Sequence, residues 1–216
     1  MAFTALPKLA YFDIEGRAFA TRVALRAAKF AYEDVRVKFP QLAEMRGKEG
    51  WSAAVPLGQL PVLELGGHVY AQSGSLARWA GRLAGLYPED PLEALRVDMV
   101  METANECQTK IGALQHSDPA EKKRLREDFA NTQLERYLAF LEANIQGPFI
   151  LGDRLTVGDV YAQVALNMIL TGNADHISPD LVAKAHPKLL AFRDAVRAHP
   201  LVKVRSRVCG CGGGMP

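Results

Sequence analysis

A single stretch of this chain offers two ways to hold a short acidic peptide. It runs Gln59-Leu60-Pro61-Val62-Leu63-Glu64-Leu65, then Gly66-Gly67, Val69-Tyr70 and Gln72-Ser73. Pro61 has no N–H to give, so it belongs at a strand start or edge. The backbone just before it keeps its pairing groups free for an extended ligand. Ser73 sits where a helix cap should sit, ahead of Leu76, Trp79, Ala80 and Leu83. A helix N-terminus attracts an anion. An edge for a peptide backbone and a helix start for a carboxylate are what a short acidic peptide needs.

Those residues must be positioned by local elements. Val62, Leu63 and Leu65 read as one strand and His68-Val69-Tyr70-Ala71 as the next, joined by a tight Gly-Gly turn. Upstream, Lys8 to Asp13 reads as a strand, and Gly16-Arg17 opens a helix through about Phe30. On that helix Phe19, Val23, Ala24 and Ala27 mark one side, while Arg22, Arg26 and Lys29 mark a solvated face. Tyr32 to Val37 reads as a second strand and Pro40 to Met45 as a short helix. The order β-α-β-α-β-β-α predicts an α+β unit of thioredoxin type, a small mixed sheet with helices on both faces. Tyr87-Pro88-Glu89-Asp90-Pro91 reads as a stiff, exposed linker. Beyond it the pattern is helical throughout, an all-α bundle. Leu134, Leu138, Leu141 and Ile145 form one buried stripe. Thr156-x-x-Asp159 reads as a capping box, and Pro179, Pro187 and Pro200 divide the remaining helices. The expected organisation is therefore 1–86, a linker at 87–91, 92–208 and a glycine-rich tail at 209–216.

Composition excludes several classes of function. About half of the 216 residues are apolar (49 %), so a normal core is available. A net charge of +2 with interspersed signs lacks the footprint of a nucleic-acid or anionic-membrane protein. No apolar run approaches the roughly 20 residues that span a bilayer. Met1 to Lys8 has no charged start before a long apolar stretch, so no signal peptide is read and a cytoplasmic location is expected. Cysteine occurs at 107, 209 and 211 only, which fits a reducing compartment and contains no Cys-x-x-Cys dithiol. Cys107 reads as a small buried apolar residue. Cys209 and Cys211 stand too close for a typical zinc pair and read as exposed tail thiols.

The chain resembles the cytosolic glutathione transferases, most closely their tyrosine-type, sigma-like members. The resemblance is carried by Leu9-Ala10-Tyr11-Phe12, Gly16-Arg17-Ala18, Gly58-Gln59-Leu60-Pro61-Val62-Leu63, Gln72-Ser73 and Leu155-Thr156-Val157-Gly158-Asp159-Val160-Tyr161. It runs from about residue 8 to about residue 205. It implies a thioredoxin-like glutathione-binding unit followed by the all-helical one, in a homodimer, with glutathione as co-substrate, a small apolar electrophile as second substrate, and no metal. Tyr11 falls on the family's catalytic tyrosine. A free thiol has a pKa of about 8.5, so little of it is nucleophilic at neutral pH. A hydrogen-bond donor that favours the thiolate lowers that value. The alternative for Tyr11 is a ring that fills the core and a hydroxyl that finds water. Serine- and cysteine-type relatives place their group just after the first strand, but here that stretch is Asp13-Ile14-Glu15-Gly16.

The other site residues follow from the same resemblance. Arg17 supports the tyrosine electrostatically, or is a surface arginine; where the family often carries Glu, this chain has Phe19. Gln59 and Leu60 flank the peptide, with a cis bond at Leu60-Pro61; the alternative is an ordinary trans proline at an edge strand. Gln72 and Ser73 bind the γ-glutamyl end. The Ser73 hydroxyl accepts from the helix backbone as a cap or donates to a carboxylate. Lys48 and Trp51 hold the glycine carboxylate, although a Trp in such a loop is as often a packing residue. Asp98, with Glu102 as substitute one turn on, reaches across a dimer to the ligand's amino group, or simply lies on a solvated helix face. Phe12 and Met101 line the electrophile pocket. The reaction expected is conjugation of glutathione thiolate to the electrophile. A glutathione-dependent isomerase or peroxidase on the same site is an alternative, as is a non-catalytic ligand-binding or structural protein.

Overall fold

The computed structural model describes residues 5–46 and 54–203. Lys48, Trp51, Cys209 and Cys211 lie outside the described residues. Strand β1 (Lys8–Phe12) pairs in parallel with β2 (Glu33–Val37) and antiparallel with β3 (Val62–Leu65). β3 continues through Gly66 and Gly67 into β4 (His68–Tyr70), so the sheet order is β2-β1-β3-β4. Both turn glycines have positive φ, 59° and 80°. A two-residue hairpin turn of this kind demands that conformation at both positions, which side chains disfavour.

The sheet is covered on both faces. Leu9 and Leu63 sit opposite each other in register and bury against α1 (Phe19–Ala27) and α3 (Ser73–Leu83), which pack together. Ala10, Val35, Val37 and Val62 form the other cluster, with Leu42 of α2 (Phe39–Arg46). A 3₁₀ turn, Gly16–Ala18, leads into α1. Arg22 on α1 does not lie on a solvated face. It is buried at 3 % exposure. Its guanidinium meets Asp34 of β2 at 3.1 Å and donates to the Ile14 carbonyl at 2.8 Å. A buried cation needs such partners, and these fasten α1 to β2 and to the loop that follows β1.

The second half is helical: α4 (Pro91–Ala113), α5 (Pro119–Phe129), a π-helical turn (Ala130–Leu134), α6 (Glu135–Ala143), α7 (Val157–Leu170), α8 (Asp180–Ala183), α9 (Pro187–Ala198) and α10 (Pro200–Lys203). No helix among the described residues is long and apolar enough to cross a membrane. The stripe Leu134, Leu138, Leu141 and Ile145 is buried as expected. α7 is the central rod, packed against α1, α4 and α9. Its capping box is present. Thr156 Oγ1 accepts from Asp159 N–H at 3.4 Å, and Asp159 accepts from Thr156 N–H at 2.6 Å and from Ile150 N–H at 2.7 Å.

One apolar cluster contains Leu9, Val23 and Leu63 together with Val97, Leu138 and Leu166, so the core runs across the linker. The linker itself is not a free spacer. Pro88 is buried, the Leu86 carbonyl accepts from Val157 N–H at 2.7 Å, and the Tyr87 hydroxyl donates to Asp98 at 2.9 Å. Asp90 caps α4 by accepting from the N–H groups of Leu92 and Glu93. The segment around Pro88 is thus tied to the helical half, which sequence spacing alone does not reveal, while Pro91 stays exposed as the first residue of α4.

His186, just ahead of α9, is buried between two carboxylates of α6, with Nδ1 2.9 Å from Glu142 and Nε2 3.1 Å from Glu135. Burial opposes its charge, but the hydrogen bonds and charges of Glu142 and Glu135 outweigh that and raise its pKa above the ordinary value. Its stabilisation is therefore complete below the unfolded imidazole pKa of about 6.5 and is lost as pH rises through the higher folded value. His186→Gln is expected to lower the melting temperature most near about pH 6 and progressively less toward about pH 9. A deficit that grows with pH would contradict the assignment.

Candidate active site

Tyr11 is the last residue but one of β1, and its hydroxyl accepts a hydrogen bond from the Arg17 backbone N–H at 3.0 Å. The 3₁₀ turn that carries Arg17 folds directly over the phenol. Gly16 makes this approach possible: its φ is +43°, and a Cβ there would lie 2.5 Å from the Tyr11 oxygen. The ring is 5 % exposed. Burial raises the phenol pKa above 10, outweighing the Arg17 N–H bond and the charges of Arg17 and Arg22, which pull it down. The neighbouring cations therefore do not produce a phenolate. At neutral pH Tyr11 keeps its proton, and that proton has no acceptor among the described residues. A buried hydroxyl whose oxygen is anchored and whose proton is free is a directed donor.

The side chain of Arg17 turns the other way, into the helical half. Nη1 donates to the side-chain oxygen of Asn105 at 2.6 Å and Nη2 to Thr109 Oγ1 at 2.9 Å. Asn105 and Thr109 stand four residues apart on α4, hence on one face. Tyr161 of α7 donates to the same Asn105 oxygen at 3.2 Å, and its hydroxyl lies 2.8 Å from Ser73 Oγ. An unbroken chain of contacts therefore runs Tyr11–Arg17–Asn105–Tyr161–Ser73. Arg17 is neither a surface arginine nor a cation poised only at the phenol. Asn105 and Thr109 escaped the sequence reading; their one signal is a polar i,i+4 pair on an otherwise amphipathic helix.

Ser73 is not the cap of α3. The N-cap position is Gln72, with φ 72° and ψ 107° and no side-chain capping bond. Ser73 is the first helical residue, and its hydroxyl goes to Tyr161. Beside it opens a small pocket lined by Arg17, Leu57, Gln59, Leu60, Pro61, Ala71, Gln72 and Ser73. The Leu60–Pro61 bond is cis. Arg46 of α2 braces this loop by donating from Nε to the Gly58 carbonyl at 3.0 Å. The structure thus gathers Arg17, Gln59, Leu60, Pro61, Gln72 and Ser73 around one pocket, with Tyr11 joined to it through Arg17.

Other candidates stand elsewhere. Asp98 is held within its own chain, meeting Arg78 Nε at 2.6 Å and the Tyr87 hydroxyl at 2.9 Å. Arg78 also pairs with Glu102 at 2.6 Å. Phe12 stacks on Phe39 with ring centroids 4.2 Å apart. Met101 is 1 % exposed and belongs to the core, so it is no pocket wall. Cys107 is buried, and burial pushes its thiol pKa up to about 12, which leaves it unreactive. Among the described residues, no group of three or more His, Cys, Asp or Glu is placed to hold a metal.

Comparison with known proteins bears on this geometry. Residues 7–80 match the family model described as the N-terminal domain of glutathione S-transferase, and residues 105–204 the model of its C-terminal domain. Glutathione S-transferase S1 of Drosophila melanogaster is 31 % identical, over 90 % of this chain and 75 % of its own. S-crystallin SL11 of Nototodarus sloanii is 29 % identical, over 90 % and 92 %. The solved structure of prostaglandin synthase D of Nilaparvata lugens superposes with a TM-score of 0.76 at 28 % identity, covering 92 % of this chain and 96 % of that one.

Asn105 receives two donors at once, so its loss removes one acceptor from Arg17 and one from Tyr161 and leaves them Thr109 and Ser73 alone. Asn105→Ala is expected to cost about 1–3 kcal/mol in chemical denaturation. Asn105→Asp, which keeps an acceptor oxygen in reach of Arg17, should cost much less. Equal losses in the two variants would show that the acceptor is immaterial.

Proposed function

The chain belongs to the glutathione S-transferase family, and from that premise we propose that it transfers glutathione thiolate to small apolar electrophiles. The observation that carries the reading is the Tyr11 hydroxyl, anchored by the Arg17 N–H and with no acceptor for its own proton among the described residues. A thiol laid against that proton gains a hydrogen bond that is stronger to the thiolate than to the thiol, so its pKa falls. The same bond persists while the sulfur attacks. Burial of Tyr11 serves this chemistry twice, by keeping the phenol protonated and by strengthening the bond in a low dielectric.

In this proposal residues 1–86 bind glutathione and 92–208 complete the site from the helical side. The Leu60 backbone beside the cis Pro61 pairs with the peptide, and Gln59 flanks it. Gln72 and Ser73, with the free N–H groups that open α3, take the γ-glutamyl end. Lys48 and Trp51 take the glycine carboxylate. The partner of a homodimer is the source of a further carboxylate for the ligand's amino group, Asp98 or Glu102. Leu92, Leu95 and Met99 make an exposed apolar stripe along α4 next to Asp98, as an interface requires. The work of the enzyme would be detoxification in the cytoplasm. The likeness to a prostaglandin synthase keeps a glutathione-dependent isomerisation on the same site as the second reading, and it uses the same thiolate.

Conjugation of chlorodinitrobenzene tests the first reading. Tyr11→Phe should lower kcat by about two orders of magnitude while the Kd for glutathione stays near that of the wild type. An unchanged kcat would move the role to another donor. Mixing Tyr11→Phe chains with Asp98→Ala chains tests assembly. If Asp98 serves the partner's site, each mixed dimer has one intact site, and activity returns that neither parent shows. No recovery in mixed dimers would confine Asp98 to its own chain.

A further inference from the structure

The turn that anchors Tyr11 bends at Gly16, and glycine restrains the backbone less than any other residue. The N–H that meets the phenol belongs to the next residue, Arg17. Its place is therefore set by what holds the chain on either side of Gly16. Downstream, Arg17 is held through its own guanidinium by Asn105 and Thr109. Upstream, the Ile14 carbonyl accepts from Arg22 at 2.8 Å. Glu15 lies between Ile14 and Gly16, and it opens the 3₁₀ turn without a side-chain capping bond. Its carboxylate turns outward instead and accepts from Arg197 Nη1 at 3.1 Å.

Arg197 stands in the last turn of α9, 182 residues along the chain from Glu15. That helix is a firm support. Leu189, Phe192 and Val196 are buried on one of its faces, and it packs on α7. His186, just ahead of it, is fixed between Glu135 and Glu142. Just past its end, the Leu201 carbonyl accepts from Arg26 of α1. The side chains of Arg197 and Glu15 are 40 % and 43 % exposed, so their pairing adds little to global stability. A contact worth at most a factor of about five in an equilibrium constant still suffices to choose one conformation of one loop. We infer that Glu15 and Arg197 form a positioning pair for the proposed reaction, through which α9 fixes the turn whose N–H aims the Tyr11 hydroxyl. The inference rests on the glutathione reading above, and it adds a third point of support to those given by Arg22 and by Asn105 with Thr109. Without the pair, Gly16 lets the Arg17 N–H leave the phenol for part of the time. The bound thiol then meets a less directed donor, and its ionisation moves toward that of the free thiol.

Glu15→Gln, Arg197→Met and the double variant test this against the wild type. Two quantities are read: the pKa of the thiol in the glutathione complex, from thiolate absorbance, and kcat for chlorodinitrobenzene at a pH below that pKa. Each single variant should raise the thiol pKa by about half a unit and lower kcat about threefold, since the thiolate fraction falls by that factor. The melting temperature and the Kd for glutathione should stay near those of the wild type, which separates positioning from a merely structural role. The double variant should lose about threefold again and not about ninefold, because all three variants lack the same contact. Arg197→Lys, which keeps the charge, should recover most of the loss. An unchanged thiol pKa in both single variants overturns the inference, and so does a double variant whose losses multiply. If one single variant melts far below the wild type, the other one and Arg197→Lys decide. Wild-type protein that does not bind glutathione would instead overturn the glutathione reading, and this inference with it.

Discussion

Arg17 holds two positions with one residue. Its backbone N–H fixes the oxygen of Tyr11, and its guanidinium is fixed in turn by Asn105 and Thr109 on α4. The aim of the phenol and the placement of the helical half against the sheet are thereby linked. Hydrogen bonds from a charged donor contribute about 1.5–3 kcal/mol each, small beside the burial of a continuous apolar core. The core joins the halves, and Arg17 decides their register at the site.

The rest of the site is a set of local conformations that this frame must sustain. Gly16 lets the 3₁₀ turn close over Tyr11, where any side chain would collide with the hydroxyl. Gln72 adopts a φ of 72°, a conformation that costs a non-glycine residue about 1–3 kcal/mol. It persists because both flanks are fixed, β4 in the sheet before it and α3 packed on α1 after it. Arg46 holds the loop at Gly58, and Arg22 with Asp34 holds the loop after β1. The pocket therefore owes its shape to side chains drawn from α1, α2, α4 and α7, although its lining comes from the 3₁₀ turn, the loop around Pro61 and the start of α3.

What was legible in the sequence was local. The Gly66-Gly67 hairpin, the four strands, the Thr156–Asp159 capping box and the stripe from Leu134 to Ile145 all follow from spacing of a few residues. Residues 58–63 and 72–73, read through a family likeness, pointed to the pocket and to its cis proline. What was not legible depended on distant partners. Arg22 looks solvated on a helical projection, because Asp34 comes to meet it only once β2 pairs with β1. Ser73 looks like a cap, because Tyr161 lies 88 residues away. Met101 carries the right chemistry for a pocket wall but falls on the face of α4 that α7 covers. Pro88 belongs to a segment whose composition says exposed linker, yet it is buried.

In the proposed reaction Tyr11 is a proton donor held in place, and the most direct measurement is the ionisation of the thiol that would lie against it. Ultraviolet absorbance of thiolate, followed against pH in the complex of wild-type protein with glutathione, gives the pKa of the bound sulfur. The arrangement of Tyr11 and Arg17 predicts a value well below the free thiol's, which is about 8.5. A bound thiol that ionises at or above that value would contradict it.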